Sequence, residues 1–193
     1  MILERLRETF GAYAPQAIEP DASLHPAAVL FLLYEHEGRV HTVFQKRTHT
    51  VDAHKGQISL PGGGKDAEDP HLLHTALRET HEEIGVEPAH IEVFGELDQA
   101  KSISNFAVTP YVGWLERYPY EWRFSHAEVA YLLEVPVDHL LDPANFVADR
   151  RMVNGRELVM PSYQFGDDLI WGLTGRFVSN FLDVWRAAMA IER

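Results

Sequence analysis

The stretch "ALRETHEEIGV", Ala76–Val86, crowds Arg78, Glu79, Glu82 and Glu83 into about two turns of a helix. Like charges three and four residues apart repel by a few tenths of a kcal/mol per pair. A solvated acidic face tolerates that cost, and a bound divalent cation would reverse it. Asp69 reads as the N-cap of this helix, Pro70 as its first residue and Gly85 as the residue that closes it in the left-handed conformation. At about 100° per residue, Leu73, Ala76, Leu77, Thr80 and Ile84 gather on a core side and the three glutamates on the other.

Upstream, Gly62, Gly63 and Gly64 in "LPGGGK" permit a close backbone approach, so a loop and an acidic helix together suggest a site. Three carboxylates at i, i+3 and i+4 present hard oxygens of the kind Mg²⁺ takes alongside water and substrate phosphates. Arg78 beside them is suited to hold a neighbouring carboxylate in one orientation.

Working outward, Ile2, Leu3, Leu6, Phe10 and Tyr13 predict an amphipathic helix over residues 2 to 13, followed by a connector from Pro15 to Pro26. Ala27 to Tyr34 is a continuous apolar run, read as a buried strand that pairs with Arg39 to Arg47 across "EHEG". The next segment, "THTVDAHKGQISLPGGGKDAEDP", reads as irregular. Beyond the acidic helix, Ile91 to Leu97 and Phe106 to Leu115 read as strands, separated by the polar loop "DQAKSISN". Val135 to Leu141 reads as a short strand or turn, Asn154-Gly155 as a hairpin turn, and Gly175 to Ile191 as a final helix. Strands, helix, strands, helix point to a mixed α/β/α or α+β sandwich rather than a regular doubly wound parallel sheet.

At 193 residues and 46% hydrophobic, the chain suits one domain spanning residues 1–193, with short helical extensions at its termini. Seventeen basic against twenty-nine acidic side chains, a net charge of -12, argue against nucleic-acid or membrane-surface partners. A bound cation would still let an acidic chain take an anionic substrate. There is no cysteine, which excludes a disulfide framework and a thiolate zinc site. The longest apolar run is strand-sized and the amino terminus is broken by charge, so a cytoplasmic protein, monomer or homodimer, is expected. Eleven histidines invite a zinc reading, but no H-E-x-x-H occurs, and His71 and His74 read more simply as surface residues of a capped helix.

Gly63, five residues, Asp69, eight residues and then "RETHEEIGV" resembles the Nudix box, G-x5-E-x7-R-E-U-x-E-E-x-G-U, where U is apolar. It departs by one inserted residue, by Asp69 for glutamate and by Thr80 at an apolar position. "FQKRTHTVDAHKGQISLPGG" is similar to the extra motif of the coenzyme A pyrophosphatase branch, with Arg47, Gly56, Pro61, Gly62 and Gly63 in register. Asp52 stands where that motif has its second arginine, and Leu60 where it has Phe. "VTPYVGWL", "EVAYLLEVPVDHLL" and "IWGLTGRFV" extend the likeness over residues 27 to 182.

The resemblance implies a Nudix α/β/α sandwich with a mixed central sheet. It implies Mg²⁺- or Mn²⁺-dependent cleavage of coenzyme A or a derivative to 3′,5′-ADP and 4′-phosphopantetheine; the alternative is another nucleoside diphosphate such as ADP-ribose or a dinucleotide, or a binder without turnover. Carried over by position, Glu79 and Glu83 become the principal metal ligands, with Glu82 on a second ion and the Gly63 carbonyl as a further ligand. Arg78 orients the carboxylates. Glu128 in "SHAEVAYLL" is the candidate base, with Glu82 as its substitute. Arg47, Lys55, Gly62, Gly63, Lys101 and Ser102 are candidates to meet the small-molecule substrate, with Phe106, Trp122 and Trp171 as aromatic surfaces that equally suit packing.

Overall fold

A computed structural model describes residues 1–48, 56–153 and 156–190. Strand β1 (His25–His36) lies at the centre of a mixed sheet, antiparallel to β2 (Arg39–Arg47) and parallel to β7 (Phe106–Leu115). The apolar run Ala27–Tyr34 is continuous because both faces of this strand are covered. Its side chains alternate between the two layers. Ala27, Phe31 and Leu33 enter one cluster with helices α1 (Ile2–Ala12) and α4 (Gly172–Met189), whereas Ala28, Leu30, Leu32 and Tyr34 enter another with α2 (Leu72–Ile84). Each fully buried large apolar side chain contributes about 1.5–3 kcal/mol, so this one strand binds the layers together.

The terminal helices follow from their spacing. Leu6 and Phe10, one turn apart, face the sheet from α1, and Phe10 stacks on Phe94 at 6.2 Å. Phe181 of α4 stacks on Phe31 at 4.8 Å. Both helices therefore belong to the same packed layer. The architecture is the α/β/α sandwich with a mixed sheet that the residues suggested.

The outer strands extend the sheet. β5 (Ile91–Glu96) pairs antiparallel with β7, and β8 (Val129–Pro136) with β2. The segment expected to be a short strand or turn at Val135 begins six residues earlier as β8 and passes directly into the short helix α3 (Val137–Leu141). A second sheet contains β9 (Phe146–Val153), β10 (Arg156–Phe165) and β11 (Asp168–Ile170). Val153 pairs with Arg156, leaving two connecting residues as a hairpin requires; Asn154 and Gly155 themselves lie outside the described residues.

Two features correct the sequence reading. The span read as irregular contains β3 (Ile58–Ser59), paired with β2, and β4 (Gly62–Gly64), which pairs with Ala27–Val29 of β1. Glycines carry no side-chain alternation, so this pairing leaves no periodic trace. The polar loop before β7 likewise holds a short strand, β6 (Ala100–Lys101). Second, α2 begins at Leu72, not Pro70: His71 is its N-cap, and the His71 ring nitrogen accepts from the His74 N–H at 3.1 Å. Asp69 is buried instead, engaged by Arg78.

Candidate active site

Helix α2 sets the positions of the acidic groups, and Gly85 closes it with φ 77. Glu83 follows Ala76 by seven residues, about two turns, so it lies at the edge of the core stripe rather than on the opposite wall. It is only 3% exposed. Its Oε2 accepts from the Gly62 N–H at 2.8 Å and the Gln45 side-chain amide at 2.7 Å, and its Oε1 from the Arg47 guanidinium at 3.3 Å. Burial pushes the Glu83 pKa up to about 7, against the lowering pull of those donors.

Glu79 sits under the glycine strand. A Cβ on Gly63 would lie 2.5 Å from the Glu79 carboxylate carbon, and one on Gly62, where φ is 147, would lie 2.3 Å from the Ala28 carbonyl oxygen. No side chain fits at Gly62, and one fits at Gly63 only if the Glu79 carboxylate moves. Burial raises the pKa of Glu79, and Arg78, 2.9 Å from its Oε1, opposes that rise.

Arg78 is the hub on the outer side. Its Nε and Nη2 donate to the two Asp69 oxygens at 3.0 Å each, its Nη1 to Glu82 at 3.1 Å and its Nη2 to the Gly64 carbonyl at 3.2 Å. Asp69 also accepts from the Asp66 N–H and the Thr75 hydroxyl, and His74 Nδ1 lies 2.8 Å from it. The Arg78 bonds, with these further donors, hold the Asp69 carboxyl well below the usual carboxylate range.

A cavity of about 560 Å³ joins these groups to distant parts of the chain. Of the expected site residues, Glu79, Glu83, Gly62, Gly63, Arg47, Lys101, Ser102 and Glu128 all line it. Glu82 and Arg78 do not; Glu82 is more than half exposed and engages Arg78. Lys55 and Asp52 lie outside the described residues. Trp171 and Phe106 line the cavity, whereas Trp122 packs against Tyr34 and Tyr120.

The geometry agrees with family membership. Residues 24–161 match the NUDIX domain family. The chain belongs to the Nudix family. A Pectobacterium atrosepticum protein described as an uncharacterized Nudix hydrolase NudL is 31% identical over 172 residues, covering 88% of this chain and 87% of the relative. A protein of the same description from Enterobacter is 28% identical over 180 residues, 92% of each chain. Among solved structures, a MutT/nudix family protein from Enterococcus faecalis aligns with a TM-score of 0.55 at 12% identity, over 94% of this chain and 73% of that one. RenU, a Nudix hydrolase from M. smegmatis, aligns at 0.50 and 22% identity, over 61% and 74%. Those two likenesses concern the fold alone.

Nudix hydrolases generally use divalent ions such as Mg²⁺ or Mn²⁺, and the residues here fit one. Among the described residues no three His, Asp or Glu side chains form a closed ligand set. Two carboxylates lining one cavity beside a glycine backbone make an open donor set, the kind Mg²⁺ completes with water and phosphate oxygens. His71 and His74 are engaged in the helix cap and with Asp69.

Reading the sequence missed two groups. Gln45, buried in β2, positions Glu83; a glutamine directly after Val43 and Phe44 in the strand was the available signal. Met160, Leu173, Thr174, Arg176 and Phe177 also line the cavity; the last four lie in "IWGLTGRFV", read only as part of the branch likeness, and no spacing in the sequence links them to the glycines or α2.

Proposed function

We propose that this Nudix hydrolase cleaves the diphosphate bond of coenzyme A or its derivatives, releasing 3′,5′-ADP and 4′-phosphopantetheine. The observation that carries this reading is the single cavity in which Glu79, Glu83 and the glycine strand meet Arg47, Lys101, Ser102 and an apolar wall. A long nucleotide needs both ends of such a site: oxygens for its charge-neutralising ions and apolar surface for its body. The coenzyme A branch motif around Arg47 and Gly62–Gly63 adds support.

In this reading Glu79, Glu83 and the Gly63 carbonyl would hold Mg²⁺ or Mn²⁺, and Glu82, which Arg78 engages outside the cavity lining, would reach a second ion from there. When bound, the metal neutralises the diphosphate and lowers the pKa of water. Arg78, fixed by Asp69, keeps the Glu79 and Glu82 carboxylates in place. Arg47 and Ser102, with Lys55 and Lys101, meet substrate oxygens. Water adds to one phosphorus as the bridging P–O bond breaks, and Glu128 takes the water's proton at its carboxylate. Glu128 is exposed at the cavity, and its backbone is anchored by the Thr48 N–H at 2.8 Å.

Product identification by mass spectrometry after incubation with coenzyme A and Mg²⁺ tests this. Release of 3′,5′-ADP is expected; a preference for ADP-ribose or a dinucleotide would overturn the assignment.

A further inference from the structure

Three cations, Arg47, Lys101 and Arg176, line the cavity beside three carboxylates, and they are not equally engaged. Arg47 faces Glu83 at 3.3 Å, and Lys101 reaches Asp21 at 3.4 Å. Arg176 lines the same cavity from α4, is exposed, and has no hydrogen-bond or ion-pair partner among the described residues. That is unusual company for a guanidinium in a chain of net charge -12, where acidic partners are plentiful. Its neighbours in the cavity are apolar: Trp171, Leu173 and Phe177 from the same end of α4, with Ile103 from the loop before β7 and Phe106 from the first position of β7.

The chemistry of this wall differs from that of the α2 end. A planar guanidinium offers paired donors that match the oxygens of a phosphate monoester, and it keeps its charge at any physiological pH. Aromatic and aliphatic surfaces beside it suit the flat face of a purine. Arg176 is not committed to Glu79 or Glu83, unlike Arg47 and Arg78, so it remains available to an anion other than the diphosphate under attack.

We propose that Arg176 is a specificity residue that binds a second phosphate, a monoester on the ribose of the nucleotide, whose base rests on the apolar wall formed by α4 and the loop before β7. This deepens the coenzyme A reading and rests on it, since the substrate named there carries a 3′-phosphate. The residue lies beyond residues 24–161, which match the NUDIX domain, and within "IWGLTGRFV", where the chain is similar to the coenzyme A branch, so it bears on substrate choice without altering the hydrolytic end.

The test compares binding of 3′,5′-ADP with that of 5′-AMP, which differ only in the 3′-phosphate, by titration calorimetry on the full chain and on Arg176→Gln at fixed ionic strength. The expected result is a wild-type preference for 3′,5′-ADP of at least ~10-fold that collapses to ~2-fold or less in the variant. A wild-type ratio near unity, or a preference that survives the substitution, overturns the proposal. Neither ligand contains the diphosphate bond, so the outcome is independent of turnover. If the preference and its loss are seen while coenzyme A is not cleaved, the substrate assignment fails and the phosphate site stands. If coenzyme A is cleaved and Arg176→Gln leaves the preference intact, the phosphate site fails and the substrate assignment stands.

Discussion

At the α2 end of the cavity every charged group is held: Glu83 receives three donors from outside its helix, and Arg78 ties together Asp69, Glu79 and Glu82. At the α4 end the lining is apolar, Ile103 is 98% exposed, and Arg176 is unengaged among the described residues. Groups held by several elements have fixed geometry, as bond-breaking chemistry requires. Side chains left loose cost little to rearrange around a ligand, so they suit selection among substrates. Substitutions should therefore divide, with rate lost at the first end and apparent affinity at the second.

The largest effect is expected from Glu83→Gln. The neutral amide keeps the shape and still accepts a hydrogen bond, while losing the charge that would face a metal. Turnover with Mg²⁺ should fall on the order of 10²–10³-fold, with the circular dichroism spectrum unchanged. Near-normal turnover in either Mg²⁺ or Mn²⁺ would break the division at its strongest point.

Asp69→Asn should act on stability first. Arg78 keeps Glu79, Glu82 and the Gly64 carbonyl but loses its paired charged bonds to Asp69, at a cost of about 1.5–3 kcal/mol in denaturant unfolding. The sign with pH follows from the direction of the shift. A carboxyl depressed in the folded state stabilises the fold above its unfolded pKa of about 3.9, and that stabilisation fades as pH falls below it toward the depressed value. The gap between wild type and variant should be full at pH 7 and shrink below about pH 4. A gap constant down to pH 2 would mean that Asp69 does not act through its charge.

What could be read from the sequence follows the same boundary between ordered repetition and isolated contacts. Ala27–Tyr34 announced a strand covered on both sides, and Phe106–Leu115 and Gly85 were legible because strand runs and helix ends leave local signatures. Most of the expected site residues proved to share one cavity. The pairing of Gly62–Gly64 with β1 was invisible because glycine has no face to alternate. The burial of Glu83 was available from its two-turn distance to Ala76, but grouping it with Glu79 and Glu82 by charge hid it. Asp69 reads locally as a cap, and only the folded position of Arg78 reveals a better partner. The α4 wall depends on a tertiary approach: Thr174 donates to the Ile58 carbonyl 116 positions away.

Gly63→Ala sharpens the comparison at an intermediate scale. The added methyl meets the Glu79 carboxylate carbon at 2.5 Å, so the acid must move. Turnover should drop roughly 10–100-fold, as when a group that orients a metal ligand is altered. At Gly64 the nearest neighbour is the Phe106 ring at 3.6 Å, an ordinary contact, and Gly64→Ala should cost far less. Equal losses at the two positions would show that the loop backbone, and not the seating of Glu79, is what matters.

The smallest effect belongs to Ile103→Ser. This side chain is almost fully solvated although it borders the cavity, so the fold gains little from it and unfolding should be unchanged. If the apolar wall receives part of the substrate, losing that surface should raise KM for coenzyme A about 2–5-fold, the scale of one buried methylene, with kcat preserved. A fall in kcat at constant KM would be the opposite signature. It would mean that the loop before β7 shapes the reacting end after all, and the cavity would then have to be treated as one catalytic unit rather than as a fixed wall facing an adaptable one.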